Sequence, residues 1–250
     1  MPITLHRFKI SHFSEKARAA LDFKGLDYTL VDHVAGPGQL AIYRLSGQRK
    51  LPLLEHEGAV VHDSTAIALY LEHAFPAGRG GARALLPDDF TQRKAVLDLE
   101  DRLDDVLGQH VPALATEQAL RDRDWLDAFG GTVGASGRVA RVGLHTVGAL
   151  AHVGSFLPPG RSLLAEAHRA VRALLHELCA RIAEHGYLCG PTPTLADVTA
   201  AGLTAPLSWP DSVHLGVPTL RGRSIAQYAH DPVLGRFFDW KTQFYKDFLR

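Results

Sequence analysis

Asp63 and Ser64 open a helical pattern, and their side chains suit a ligand that carries both signs of charge. A helix N-terminus presents free backbone N–H groups and partial positive charge, which stabilise an anion by about 0.3–1 kcal/mol. The Ser64 hydroxyl adds a donor for a carboxylate, and the Asp63 carboxylate suits an ammonium group. Either residue also serves as an ordinary N-cap, which leaves other N–H groups of the helix free.

Ser11 follows the first apolar run and stands where the next helical pattern begins. Its hydroxyl either caps that helix or donates to an anion at the positive helix end. Ser14 lies in the same turn and is the second candidate for that role. The imidazole of His12 either orients a water or acts as a base near neutral pH, or it is exposed at the helix start.

Pro52 precedes the apolar pair Leu53-Leu54, and it cannot donate a ladder hydrogen bond. If its peptide bond is cis, the chain before it turns outward, and Leu51 offers its backbone N–H and C=O to an extended peptide. The simpler interpretation is a proline at the start of an edge strand. Arg49 and Lys50 are either anion-binding residues beside Leu51 or part of a solvated basic surface.

Alternating and helical patterns place these residues in a compact α/β unit. The predicted elements are a strand over Ile3–Phe8, a helix from Ser14 to Lys24 or Gly25, a strand over Tyr28–Val34, a helix around Leu40–Leu45, a hairpin of Leu51–Glu55 and Ala59–Val61, and a helix over Thr65–Ala74. Their order is β-α-β-α-β-β-α. Arg18 and Asp22, four residues apart on the first helix, are expected to form a surface ion pair.

After Pro76 the pattern is helical almost throughout. We therefore expect a domain over residues 1–76, a linker over 77–90 and an all-helical domain over 91–250, which makes the fold class α/β plus all-α. Helices are predicted over Thr91–Gln109, Glu117–Phe129, Gly137–Val153, Ser162–His185, Thr194–Ser208 and Pro232–Phe248.

Composition excludes several classes of protein. The 27 Lys and Arg residues balance 27 Asp and Glu residues, so no overall positive field attracts nucleic acid. The uncharged stretch Val142–Leu157 is shorter than the roughly 20 residues of a membrane-spanning helix. Two cysteines and no secretion signal indicate a cytoplasmic protein. His145 and His152 lack a third ligand, so we expect no metal site.

Four motifs in this order resemble the thioredoxin-like domain of cytosolic glutathione transferases. They are S-H-F-S-E-K-A-R from Ser11, K-G-L-D-Y from Lys24, S-G-Q-R-K-L-P-L-L from Ser46 and D-S-T-A-I from Asp63. In the second half, Y-L-C-G from Tyr187 and T-L-A-D-V from Thr194 resemble the helical domain of that family. His12 departs from the family pattern, because many relatives have proline there.

The resemblance implies that the chain binds glutathione as a co-substrate and needs no metal. Ser11 is the implied catalytic residue, whose hydroxyl donates to the glutathione sulfur and favours the thiolate. The absence of cysteine at Ser11 and Ser14 argues against the disulfide-forming branch of the family. The implied binding residues are His12, Phe13, Ser14, Arg49, Lys50, Leu51, Pro52, Asp63 and Ser64.

The implied function is that of a serine-type, bacterial-like glutathione transferase of the detoxification kind, which acts as a homodimer. The second domain, with the glycine-rich stretch Gly130–Gly154, would cover a small hydrophobic electrophile for conjugation, dehalogenation, ether cleavage or isomerisation. The alternative is a non-catalytic module with the same fold, which binds a partner protein or a hydrophobic ligand. Ser11, Pro52 and the Asp63-Ser64 pair favour the enzyme, because a module has no use for all of them.

Overall fold

The computed structural model describes residues 2–34, 37–132, 158–212 and 214–249. The strands are β1 (Ile3–Phe8), β2 (Tyr28–His33), β3 (Leu53–His56) and β4 (Ala59–His62). The helices are α1 (His12–Phe23), α2 (Pro37–Ser46), α3 (Ser64–Ala74), α4 (Phe90–Arg121), α5 (Arg123–Thr132), α6 (Pro158–His185), α7 (Leu195–Leu203), α8 (Ala226–Ala229) and α9 (Gly235–Phe248). Short 3-10 turns cover Arg79–Gly81, Ala205–Leu207 and Pro218–Leu220.

The four strands among these residues form one mixed sheet in the order β2-β1-β3-β4. Strand β1 is parallel to β2 and antiparallel to β3, which is antiparallel to β4. Leu53 pairs with His6 on one side and with His62 on the other. The end of β1, the start of β3 and the end of β4 therefore meet at one edge of the sheet. That edge brings the turn at Ser11, the Leu51-Pro52 peptide and Asp63 towards one another.

The thioredoxin-like first domain and the mostly helical second part confirm the predicted fold class, including the order β-α-β-α-β-β-α. Strand β2 ends at His33, one residue before the predicted end. Helix α1 ends at Phe23, and Gly25 follows with φ +72°, a left-handed conformation that glycine adopts without strain. The segment 77–90 holds one 3-10 turn and reaches α4, but its role as a linker stays a prediction.

Helix α4 is a single helix of 32 residues, so the predicted end at Gln109 and restart at Glu117 are wrong. Pro112 lies inside the helix, where a proline removes one backbone hydrogen bond without removing the others. Packing outweighs that loss, because Leu107 and Val111 on either side of Gly108 are fully buried. The chain breaks instead at Asp122, whose backbone is extended, and α5 begins with the next residue.

Of the other helical predictions for the second domain, Ser162–His185 is confirmed with an earlier start, at Pro158, and two are confirmed with shorter bounds. Helix α7 ends at Leu203, and the 3-10 turn Ala205–Leu207 covers most of the rest of the predicted helix. Helix α9 begins at Gly235 rather than Pro232. The predicted helix Gly137–Val153, both histidines of the metal argument and most of the Gly130–Gly154 stretch lie outside the described residues.

The ion pair of Arg18 and Asp22 is buried, so the expected surface location is wrong. The Arg18 guanidinium also forms two hydrogen bonds with Glu15, at 2.9 and 2.6 Å. The Tyr245 hydroxyl of α9 donates to Glu15 at 2.8 Å. Helix α1 is therefore covered on its polar side by the helical domain, and its charges are compensated internally. None of the described helices is long and apolar enough to cross a membrane.

Candidate active site

A cleft of about 640 Å³ opens at the sheet edge where β1 and β4 end and β3 begins. Its lining includes seven of the residues that the sequence suggested: Phe13, Arg49, Lys50, Leu51, Pro52, Asp63 and Ser64. Gln48 and His62 also line it, and neither is among the binding residues predicted from the sequence. Ser11, His12 and Ser14 are not part of this lining.

The start of α3 forms one side of the cleft. Asp63 is the N-cap, and its Oδ1 accepts hydrogen bonds from the N–H groups of Thr65 and Ala66 at 2.9 and 3.0 Å. Its φ of 75° is a conformation that costs a non-glycine residue roughly 1–3 kcal/mol and that is concentrated at functional sites. Ser64 is 2% exposed, and its Oγ has no hydrogen-bond partner among the residues that the structure describes. A buried hydroxyl without a partner is unfavourable, which indicates a group that completes it.

The opposite side of the cleft contains the segment before β3. The Leu51-Pro52 peptide bond is cis, and Leu51 lies outside the strand ladders, which begin at Leu53. The Gln48 side chain holds the backbone of Lys50, because its Oε1 accepts from the Lys50 N–H at 2.5 Å and its Nε2 donates to the Lys50 C=O at 2.8 Å. Arg49 and Lys50 are exposed, so this rim of the cleft is cationic.

Ser11 is the N-cap of α1 and is half-buried. Its Oγ accepts the N–H of Ser14 at 3.3 Å, and this contact does not use the hydroxyl hydrogen. Ser14 is 1% exposed, and its own Oγ accepts the N–H of Phe8 at 3.2 Å. Neither contact uses a hydroxyl hydrogen, so the two serines differ in burial and partner: Ser14 is buried and accepts from β1, whereas Ser11 is half-buried and accepts from its own turn.

His12 is 8% exposed, and burial lowers its pKa to about 4, with the charge of Lys16 adding to the effect. The imidazole is therefore neutral at pH 7. Its Nε2 lies 3.2 Å from the backbone oxygen of Gly108 in α4. A carbonyl oxygen only accepts, so Nε2 carries the proton and donates. Neither an exposed His12 nor a base with a pKa near neutral fits this arrangement.

A buried charge network lies directly behind the start of α3. The Lys16 ammonium donates to Thr65 Oγ1 at 2.8 Å, to Asp104 Oδ1 at 2.7 Å and to Glu100. Burial raises the pKa of Glu100, and the charge of Lys16 opposes that shift. Within the part of the chain that the structure describes, no group of three or more His, Cys, Asp or Glu side chains is placed to hold a metal ion.

Comparison with known proteins connects this site with one family. Residues 5–80 match the family described as "Glutathione S-transferase, N-terminal domain". Glutathione S-transferase 1 of Dianthus caryophyllus is 36% identical over 92 residues, which are 36% of this chain and 39% of that protein. The match thus spans well under two thirds of the relative.

Solved structures extend the likeness to the second domain. A glutathione S-transferase from Rhodospirillum rubrum F11 aligns with a TM-score of 0.66 and 19% identity, over 99% of this chain and 90% of that one. Rice GST1, solved in complex with glutathione, aligns with a TM-score of 0.61 and 20% identity, over 100% of this chain and 90% of that one. The chain has the two-part fold of these structures.

Proposed function

We propose that this protein is a glutathione transferase of the serine type. The observation that carries the proposal is the buried hydroxyl of Ser64 beside Asp63, which no other described residue hydrogen-bonds. It lies in a cleft whose other rim bears Arg49 and Lys50. Glutathione has an ammonium and a carboxylate at its γ-glutamyl end and a second carboxylate at its glycine end. Asp63 meets the ammonium, Ser64 the adjacent carboxylate, and the basic pair the distant one. Leu51, beside Pro52, holds the cysteinyl part through its backbone.

Ser11 stabilises the reactive form of the ligand in this proposal. A thiol with a pKa of about 8.5 is mostly protonated at pH 7, and a hydroxyl that donates to sulfur favours the thiolate. The proton leaves to solvent. The thiolate sulfur then attacks the electrophilic carbon; a C–S bond forms, and a leaving group departs with its electron pair or the electrons move onto the acceptor. Ser14 is the second candidate for the donor.

The electrophile is small and hydrophobic, and the second domain covers it. The reaction is a conjugation, dehalogenation, ether cleavage or isomerisation, carried out by a homodimer in the cytoplasm without a metal. A second candidate function is a non-catalytic module of the same fold, which binds a partner protein or a hydrophobic ligand. It is favoured by the position of Ser11, which caps α1 and does not line the cleft.

Calorimetric titration with reduced glutathione tests the proposal. The matched variants are Asp63→Asn, which keeps an N-cap but loses the charge, and Ser64→Ala. Each removes a charge-assisted contact of roughly 1.5–3 kcal/mol, so the affinity should fall about tenfold or more. Asp98→Asn, which removes an exposed carboxylate of α4, is the control and should bind as the natural protein does.

Failure of the natural protein to bind glutathione at millimolar concentration would overturn the proposed function. Normal binding by both cleft variants would place the ligand elsewhere. Binding without any effect of Ser11→Ala on the ionisation of the bound thiol would favour the non-catalytic module.

A further inference from the structure

Pro112 leaves one carbonyl of α4 without its helical partner. In an α-helix each C=O accepts from the N–H four residues later, and the residue four positions after Gly108 is Pro112, which has no N–H. The released Gly108 oxygen accepts from His12 Nε2 at 3.2 Å. Pro112 thus frees a backbone oxygen that accepts a hydrogen bond from His12, the residue that follows Ser11.

Gly108 also makes room for the next side chain of the same turn. A Cβ atom at this position would lie 2.7 Å from Cζ of Phe13 and 3.3 Å from its Cε1, closer than van der Waals contact allows. The rings of His12 and Phe13 lie with their centroids 4.3 Å apart. Both side chains therefore dock on one turn of α4, and Phe13 continues from there into the wall of the cleft.

The turn that carries Ser11 is consequently held from two domains. On the sheet side, the Ser11 N–H donates to Phe8 O at 3.0 Å, and Ser14 Oγ accepts from the Phe8 N–H. On the side of the helical domain, His12 donates a hydrogen bond to the Gly108 oxygen, and the Phe13 ring packs against the Gly108 backbone. Ser11 lies between the two attachments, so the direction of its hydroxyl depends on both.

Building on the glutathione transferase function proposed above, we propose that Gly108 and Pro112 are positioning residues for thiol activation. Pro112 frees the Gly108 carbonyl, the carbonyl fixes the His12 imidazole, and the imidazole fixes the turn from which Ser11 reaches the sulfur. These two residues of the helical domain thereby control a catalytic group of the first domain without lining the cleft themselves. A hydroxyl aimed at a sulfur depends on distance and angle, so a small displacement of this turn weakens the donation.

The variant Pro112→Ala separates this role from a structural one. It restores the missing N–H, draws the Gly108 carbonyl back towards the helix axis and removes a proline from a helix interior. The midpoint temperature of thermal unfolding should rise. The pKa of the thiol of bound glutathione, followed by the ultraviolet absorbance of the thiolate, should rise as well. The dissociation constant for glutathione should stay the same. A purely structural proline would leave the thiol titration unchanged, and that result would overturn the proposal.

Two substitutions of His12 form a matched pair. The amide nitrogen of Gln occupies roughly the place of Nε2 and can donate to Gly108, whereas that of Asn occupies the place of Nδ1 and falls short. His12→Gln should keep the natural thiol titration, and His12→Asn should shift it to higher pH, as Pro112→Ala does. Equal titrations of the two variants would overturn the proposal.

Nitrogen NMR of the free protein checks the contact independently of any ligand. The His12 ring should show a proton on Nε2 and none on Nδ1 at pH 7, and Pro112→Ala should change the shift of that proton. An Nδ1 proton would overturn the positioning role even if glutathione binds. If the NMR result holds but no glutathione binds, the proposed function fails while the contact stands.

Discussion

The ammonium of Lys16 on α1 lies 2.8 Å from Oγ1 of Thr65, the residue that follows Ser64 in α3. The same ammonium contacts Glu100 and Asp104 of α4. One cation thus joins three helices from both domains, and it is 0% exposed. Because Glu100 is buried as well, removal of Lys16 leaves a carboxylate inside the protein without its countercharge.

We therefore expect Lys16→Met to lower the free energy of unfolding by about 3–5 kcal/mol, measured by urea denaturation. Lys94→Met is the control, since Lys94 pairs with Asp98 on the exposed surface and the cost should stay below about 1 kcal/mol. The double variant Lys16→Met with Glu100→Gln should recover part of the loss. Equal stability of Lys16→Met and Lys94→Met would show that the buried network contributes nothing.

Ser11→Ala and Ser14→Ala should separate catalysis from stability. Loss of the Ser11 donor should lower turnover by roughly 10²–10³, by analogy with the removal of one oxyanion donor, with little change in glutathione affinity. Loss of Ser14 Oγ removes the acceptor of the partly buried Phe8 N–H, which costs about 1–3 kcal/mol of folding stability. Steady-state kinetics and urea denaturation of both variants measure the contrast. Normal turnover of Ser11→Ala would remove that serine from the mechanism.

Stability should depend on pH through His12. Its folded pKa of about 4 lies below the ordinary value of about 6.5, because burial disfavours the imidazolium. Between these values the unfolded chain binds more protons than the folded one, so the free energy of unfolding falls as the pH is lowered, by up to about 1.4 kcal/mol per pH unit. Urea denaturation at pH 7 and pH 5 should show this loss, and His12→Gln should show less of it. The same pH dependence in both proteins would contradict the assignment.

Phe90, the first residue of α4, is 79% exposed, more than any other large hydrophobic side chain among the described residues. An aromatic ring in this position suits an interface between two copies of the chain. Phe90→Asp should shift the expected homodimer towards monomer in sedimentation at micromolar concentration. Leu163→Asp, at the exposed Leu163 of α6, is the matched control and should leave the dimer intact. A natural protein that sediments only as a monomer would refute the expectation.

The sequence predicted the sheet and the helices well where one side of an element is apolar. It failed where partners come from distant parts of the chain. Lys16 and Glu15 look like solvent-facing residues of α1, but both are buried. Their partners, Glu100 for Lys16 and Tyr245 for Glu15, are far away in sequence. Likewise, glycine and proline are typical of helix ends, so Gly108 and Pro112 predict a break. Tertiary packing keeps α4 continuous through them.

Local patterns predicted Asp63, Ser64 and the Leu51-Pro52 peptide as site residues, because helix starts and prolines leave clear local signals, and the structure places all of them on one cleft. Gln48 carries no such signal, and its hold on Lys50 depends on the conformation of a turn. The burial of His12 could not be predicted from local sequence either, since its hydrogen-bond partner is a backbone oxygen of the helical domain. Every residue has a backbone oxygen, so the sequence does not indicate which of these oxygens accepts a hydrogen bond from a distant side chain.

Glu100, Asp104, Gly108 and Pro112 recur every four residues, so they wind along one stripe of α4. The first two hold the start of α3 through Lys16, and the last two hold the turn at Ser11. One inserted residue between Asp104 and Gly108 would rotate one attachment against the other by about 100° and shift it by about 1.5 Å. The number of residues between Glu100 and Pro112 is therefore fixed, because any insertion or deletion there separates the two attachments from each other.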